Sequence, residues 1–285
     1  MARFTNQAQL SYNGAVVNSN IAVGEIVEVL SVSKTAVTEN YVRGGDVTYV
    51  ISAVNSGSTP LTGVSITDDL GGYTFGSGTL YPLAYVDGSV RVYVNGVLQT
   101  SSPTVVEGPP IVFSGLTVPA SGNLMLIYEA RVNQFAPLGA DDSIVNTAAV
   151  TASGITAPST ASATVTPDAS GALTITKSID PVSVTENGTV TYTFIIQNYG
   201  SGAATAEDEV SVRDTFDPIL SDISVSLNET ALAVTEGYTY DQATGTFVTV
   251  PGVITVPAAT FVQDTATGAW TVTPGVTRLT VTGTL

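Results

Sequence analysis

The chain contains no cysteine and no histidine. The first absence excludes disulfides and thiolate metal sites. The second removes the commonest general base, the commonest metal ligand and the base of the usual serine-hydrolase triad. Basic residues number 8 against 24 acidic ones, for a net charge of −16. Nucleic-acid binding needs clustered Lys and Arg, so no nucleic-acid partner is expected. No stretch approaches the ~18–20 apolar residues of a membrane-spanning helix. Residues 1–14 are polar, with no apolar run and no small-residue cleavage site, so no secretory leader is expected there. Either the mature chain is written without its leader, or export by another route, such as release of a spore from its mother cell, is expected. No phosphate loop, nucleophile elbow or paired-carboxylate enzyme motif is visible, and no enzymatic activity is expected.

What is present is β-branched residues, small residues and turn formers. Val47–Val54, Val64–Thr67, Val90–Val94, Leu124–Val132, Asn146–Thr151 and Val190–Ile196 read as strands, several of them alternating. Asn13-Gly14, Gly44-Gly45, Asn95-Gly96, Pro109-Pro110 and Asn187-Gly188 supply the turns between them. No amphipathic helix stands out. The expected fold is all-β: two tandem immunoglobulin-like or adhesin-like β-sandwiches, the second incomplete, preceded by a donor strand or hairpin.

That division rests on an internal repeat. Lys34, Gly45-Asp46-Val47-Thr48-Tyr49 and Asn55-Ser56-Gly57 recur as Lys177, Gly188-Thr189-Val190-Thr191-Tyr192 and Asn198-Tyr199-Gly200. The spacings from Lys to Tyr and from Lys to Asn are 15 and 21 residues in both copies. The first copy closes with Val145-Asn146-Thr147-Ala148-Ala149-Val150. The second ends at Gly275–Leu285, which aligns with Gly122–Val132. A piece like the closing segment stands instead near the start, with Asn6 over Asn146, Ala8 over Ala148, Leu10 over Val150 and Gly14 over Gly154. The expected parts are therefore a donor segment at 1–28, a complete sandwich at 29–168, and a sandwich at 169–285 lacking its last strand or strands. Strand order within 217–275 is left open.

The Lys-Thr-Ala segment, Gly-Asp-Val-Thr-Tyr, Asn-Ser-Gly, Val-Ser-Ile-Thr-Asp and Val-Asn-Thr-Ala-Ala-Val resemble the conserved repeat domain of bacterial and archaeal surface proteins, the family called domain of unknown function 11. The resemblance covers most of the first copy and the first third of the second. It implies β-sandwich domains, an extracellular location on a cell or spore surface, and stalk, adhesin or filament roles.

Lys34, Asp68 and Asn146 in the first copy, with Lys177 and Asp214 in the second, are the parts of a self-forming isopeptide bond. Asn6 of another copy supplies the missing carboxamide. A Lys buried among apolar groups loses its proton because desolvation disfavours the charge. The neutral amine can attack the Asn carboxamide while a buried acid shuttles the proton and ammonia leaves. The arrangement resembles that of collagen-adhesin domains. Glu129 is an alternative acid, but its aligned position is Thr282. The plainer alternative makes Lys34 an exposed strand residue, Asn146 a backbone partner and Asp68-Asp69 a turn; the sequence leaves both open.

Phe4, Asn6, Ala8, Leu10 and Tyr12 alternate onto one face and are the expected donor-strand contacts. The expected partners are identical subunits in a head-to-tail homopolymer. A monomeric adhesin recognising glycan or protein is the alternative. Asp68-Asp69, Asp141-Asp142 and Glu207-Asp208-Glu209 could bind calcium through several oxygens, but they lack the spacing of a calcium loop, so solvated carboxylates and no cofactor are the expectation, with calcium the alternative. Trp270, Tyr238, Tyr240, Phe247 and Phe261 are expected in the core of the second sandwich.

Overall fold

The computed structural model describes residues 2–26, 29–139, 141–168 and 172–285. The expected boundaries at 28/29 and 168/169 involve residues 27–28 and 169–171, outside the described residues. The fold is all-β, and the one helical turn among the described residues is a 3-10 turn at Ala206–Asp208.

The first sandwich is built from two sheets. One runs in the order Val97–Leu98, Arg91–Val94, Gly122–Val132, Asp46–Asn55, Leu30–Ala36, with Leu83–Tyr85 also on Gly122–Val132. The other runs Thr104–Val106, Ile111–Val118, Leu61–Asp68, Ile144–Thr151, Ser159–Pro167, Asn40–Tyr41. Alternation does the work that the sequence implied. In Asp46–Asn55 every second residue from Val47 to Asn55 is buried, and in Ile144–Thr151 it is Ile144, Asn146, Ala148 and Val150. The two inner faces share one core, in which Tyr49, Ile51, Ile66, Phe113, Leu126 and Tyr128 are fully enclosed.

The second sandwich repeats half of this plan. Its larger sheet is Leu173–Asp180, Thr189–Asn198, Gly275–Thr284, Ser221–Leu227, Thr230–Ala231. The register agrees with the expected alignment: Gly122 faces Asn55 and Tyr128 faces Tyr49, while Gly275 faces Asn198 and Val281 faces Tyr192. The facing sheet has only Arg213–Thr215, Thr246–Thr249 and Tyr238–Asp241. In the first sandwich Ile144–Thr151 and Ser159–Pro167 lie beyond Leu61–Asp68. Among the described residues no strand takes their place beside Arg213–Thr215.

The repeated Asn-x-Gly has a structural role. Asn55 and Asn198 are fully buried; their side-chain oxygens accept from the backbone N–H of Gly57 and Gly200, and their amides donate to the carbonyls of Thr59 and Gly202. Each Asn ties down the turn that follows its strand.

The aromatics of residues 217–275 divide differently from the expectation. Tyr238 and Phe247 are core residues, and Tyr240 packs against them. Phe261 and Trp270 do not join them. They lie on a hairpin, Thr260–Gln263 with Trp270–Thr273, that packs on the first sandwich's core together with Val272. Backbone and side-chain hydrogen bonds fix this strut: Trp270 N–H to the Gln134 carbonyl at 3.0 Å, Arg43 Nη2 to the Trp270 carbonyl at 2.6 Å, and Gln263 Nε2 to the Tyr73 hydroxyl at 2.8 Å. The first sandwich offers these rings an apolar surface.

Candidate functional site

Residues 2–26 form an antiparallel hairpin whose turn is Asn13-Gly14, both at positive φ as a tight two-residue turn requires. Of the expected donor strand or hairpin, the stretch from Phe4 to Tyr12 is divided between Ala2–Asn6 and Gln9–Tyr12, with Ala8 between them. Asn6 pairs with Ala22 and Gln9 with Asn18, so two residues on the outgoing strand oppose three on the return. This bulge places the extra residue on the return strand, and the alternation from Phe4 to Tyr12 survives it. Cross-strand partners share a face, so Phe4, Asn6, Leu10 and Tyr12 stand with Gly24, Ala22, Val17 and Ala15. The Phe4 ring lies over Gly24, where an added Cβ would come within 2.2 Å of it. Gln9 is on the other face, bonded to Asn18.

This face meets nothing. Leu10 is 67% and Tyr12 72% exposed, and Phe4 and Val17 are more than half exposed. The hairpin's strands pair only with each other among the described residues. An isolated hairpin is marginal in water, and a contiguous apolar face on one is unusual.

One pair of this hairpin resembles a pair in a hairpin that the first sandwich holds. There Asn146 pairs with Ala163 and Ala148 with Ala161; here Asn6 pairs with Ala22. In the first sandwich this hairpin lies beside Leu61–Asp68, with Ala148 facing Asp68 and Val150 facing Ile66.

Under that cover Lys34, Asp68, Asn146 and Tyr128 form one buried cluster. Lys34 Nζ donates to Asp68 Oδ2 at 2.6 Å, with both side chains fully enclosed. The Tyr128 hydroxyl donates to the same oxygen at 2.7 Å and accepts from Asn146 Nδ2 at 3.0 Å. Asn146 Oδ1 is buried without a partner, an expensive condition for a carbonyl oxygen. Lys34 Nζ also stands 4.8 Å from the centre of the Tyr49 ring. Burial lowers the Lys34 ammonium below its ordinary 10.5, and the attraction of Asp68 only partly opposes this. Burial, then Asp68, pushes the Tyr128 phenol well above its ordinary range.

The three residues expected from sequence are thus brought together. The alternative acid, Glu129, faces solvent on the outer side of its strand. Tyr128 was not expected; its signal was its place one residue from Glu129 on an alternating strand.

The second copy of the cluster is open. Lys177 Nζ pairs with Asp214 Oδ2, but their side chains are 39% and 19% exposed. Tyr192, Phe194 and Phe216 surround the ammonium at 4.5, 5.5 and 5.3 Å. Leu30 is buried, while its counterpart Leu173 is 37% exposed. The sequence motif is the same, and among the described residues no hairpin covers it.

No protein-family profile matches this chain, and no curated protein does. Its likenesses are to solved β-sandwich structures. One is the major pilin subunit of Bacillus cereus, with 13% identity over 96% of this chain and 73% of that one, TM-score 0.38. A second is a 35 kDa C-terminal fragment of the major pilin of Streptococcus agalactiae, with 12% identity over 52% of this chain and 58% of that one, TM-score 0.36. A third is the collagen-binding domain of a Staphylococcus aureus adhesin, with 12% identity over 50% of this chain and 99% of that one, TM-score 0.32. The chain therefore spans little more than half of the Streptococcus agalactiae fragment.

Proposed function

We propose that this chain is the subunit of an extracellular, pilin-like filament on a cell or spore surface. The N-terminal hairpin of one copy enters the second sandwich of the next, beside Arg213–Thr215. The reading is supported above all by one pairing: the exposed Asn6–Ala22 pair resembles the Asn146–Ala163 pair of the hairpin that covers Lys34 and Asp68, and Lys177 and Asp214 stand uncovered. Carrying the first sandwich's register across sets Ala8 opposite Asp214, Gln9 opposite Arg213 and Leu10 opposite Val212. Main-chain hydrogen bonds along that edge and the apolar face of the hairpin supply the attraction. Burying the still-exposed parts of Phe4, Leu10, Tyr12 and Val17 contributes about 1–2 kcal/mol each, before the cost of association. Donor and acceptor are different surfaces, so the contact repeats as an open fibre unless its rotation closes a ring.

The same reading assigns two covalent bonds. Lys34 joins Asn146 within the first sandwich, with Asp68 as the acid. Lys177 joins Asn6 of the next copy, with Asp214 as the acid. In each, the lysine amine displaces the carboxamide nitrogen as ammonia.

Negative-stain microscopy and size-exclusion chromatography of the chain lacking residues 1–26 test the assembly. Folded monomers are the expected result. Fibres at the yield of the full chain would overturn it. Adding the hairpin as a synthetic peptide is expected to cap the open groove and shorten fibres of the full chain.

A further inference from the structure

In the first sandwich four polar groups form a continuous path between the attacking and the departing nitrogen. Lys34 Nζ touches Asp68 Oδ2, Asp68 Oδ2 touches the Tyr128 hydroxyl, and that hydroxyl touches Asn146 Nδ2, at 2.6, 2.7 and 3.0 Å. All four side chains are buried, so solvent cannot easily supply or remove a proton here. An amide nitrogen leaves poorly unless it is protonated, and the Tyr128 hydroxyl, which accepts from that nitrogen in the resting cluster and donates to Asp68, is the proton carrier in contact with both. The ring is held for this by stacking on Tyr49 at 5.6 Å and packing on Phe113 at 5.4 Å between centroids.

Resting on the bond assigned above between Lys34 and Asn146, we propose that Tyr128 is a catalytic residue of its formation, handing the departing nitrogen its proton. The proton that Lys34 shares with Asp68 moves to the carboxylate and frees the amine. The amine adds to Asn146 Cγ, placing positive charge on Nζ and negative charge on Oδ1. Tyr128 gives its proton to Nδ2 and takes the one held by Asp68. Asp68 then accepts a proton from Nζ, the Cγ–Nδ2 bond breaks, and the carbonyl reforms. One C–N bond forms, one breaks, ammonia leaves, Tyr128 ends as it began, and Asp68 keeps the proton that Lys34 brought to the pair.

The relay is missing from the second site. Val281 occupies the register position of Tyr128, facing Tyr192 as Tyr128 faces Tyr49. The bond between copies is then the slower of the two, and the bond within the sandwich closes first.

The experiment follows intact mass after pulsed synthesis of the full chain and of Tyr128→Phe, with Lys177→Ala present in both to leave only the first site. The parent chain is expected to become lighter by about 17 Da, the mass of ammonia. Tyr128→Phe is expected to do so at least ~10²-fold more slowly, the lower range for removal of a general acid. Circular dichroism establishes that the variant is folded. If it is not, 2,3,5-trifluorotyrosine at position 128 keeps the hydroxyl and the ring stack while making the phenol more acidic. The alkaline limb of the rate profile is then expected to move to lower pH. A parent chain that stays at full mass overturns the bond itself. A parent that loses ammonia, with a folded Tyr128→Phe that loses it equally fast or a fluorinated chain with an unmoved limb, overturns the relay and leaves the bond standing.

Discussion

Replacing Leu10 by Asp tests the docking register at its most exposed aliphatic contact. Leu10 is 67% exposed in the free hairpin and occupies the position of Val150, which is fully buried in the first sandwich. Full burial of a leucine side chain is worth about 1.5–3 kcal/mol, so docking draws about 1–2 kcal/mol from the part still exposed. An aspartate there forfeits this and brings an unpaired carboxylate into an apolar groove at a further cost on the order of 3 kcal/mol. A total near ~4–5 kcal/mol weakens each subunit contact by roughly 10³-fold. Gln9→Asp adds the same charge one residue away, on the face that bonds Asn18 and that the transferred register turns toward Arg213. It is expected to assemble nearly as the parent does. The assay is the concentration at which fibres appear, followed by light scattering and verified by microscopy. Thermal unfolding of the two sandwiches serves as the control, because the hairpin pairs with neither. Equal losses from the two substitutions would refute the face assignment, and an unimpaired Leu10→Asp would refute the hairpin as the docking element.

Lys177→Ala is expected to convert a ladder of multimers in boiling detergent into monomer, while fibres still form in native buffer; a persistent ladder would point to another cross-link. The Lys34–Asp68 pair works while it carries one shared proton. A second proton, gained in acid, locks Lys34 as ammonium, and loss of the shared proton in alkali removes the acid. Bond formation is therefore expected to fall at high pH with a midpoint below the ordinary lysine value of 10.5, because burial lowers Lys34. A midpoint at or above that value in a pulse-synthesis pH series would contradict the buried-amine argument. Trp270→Ala is expected to weaken the strut by about 2–4 kcal/mol, in keeping with loss of a large packed ring. Calorimetry should then show the two sandwiches melting apart rather than together.

Much of this molecule could be read before any coordinates. Strict alternation gives Val47, Tyr49 and Ile51 one face and Thr48 and Val50 the other. The equal spacing of Lys34, Tyr49 and Asn55 with Lys177, Tyr192 and Asn198 fixes the alignment of the two copies, and the strand registers follow it. The likeness of Asn6, Ala8 and Leu10 to Asn146, Ala148 and Val150 also stands in the sequence. Period alone does not say which face is inward. Glu129 and Tyr128 are adjacent, and only the pairing of Gly122–Val132 with Asp46–Asn55 turns the phenol into the core and the carboxylate out of it. The destination of Phe261 and Trp270 depended on a surface whose contacts with Trp270 lie 136 and 227 residues away in the chain, at Gln134 and Arg43, which no local pattern records. The two lysines differ most. Their motifs match, yet Lys34 is sealed and Lys177 is open. Burial belongs to whatever packs on a side chain, and only the three-dimensional arrangement decides whether the covering hairpin is there.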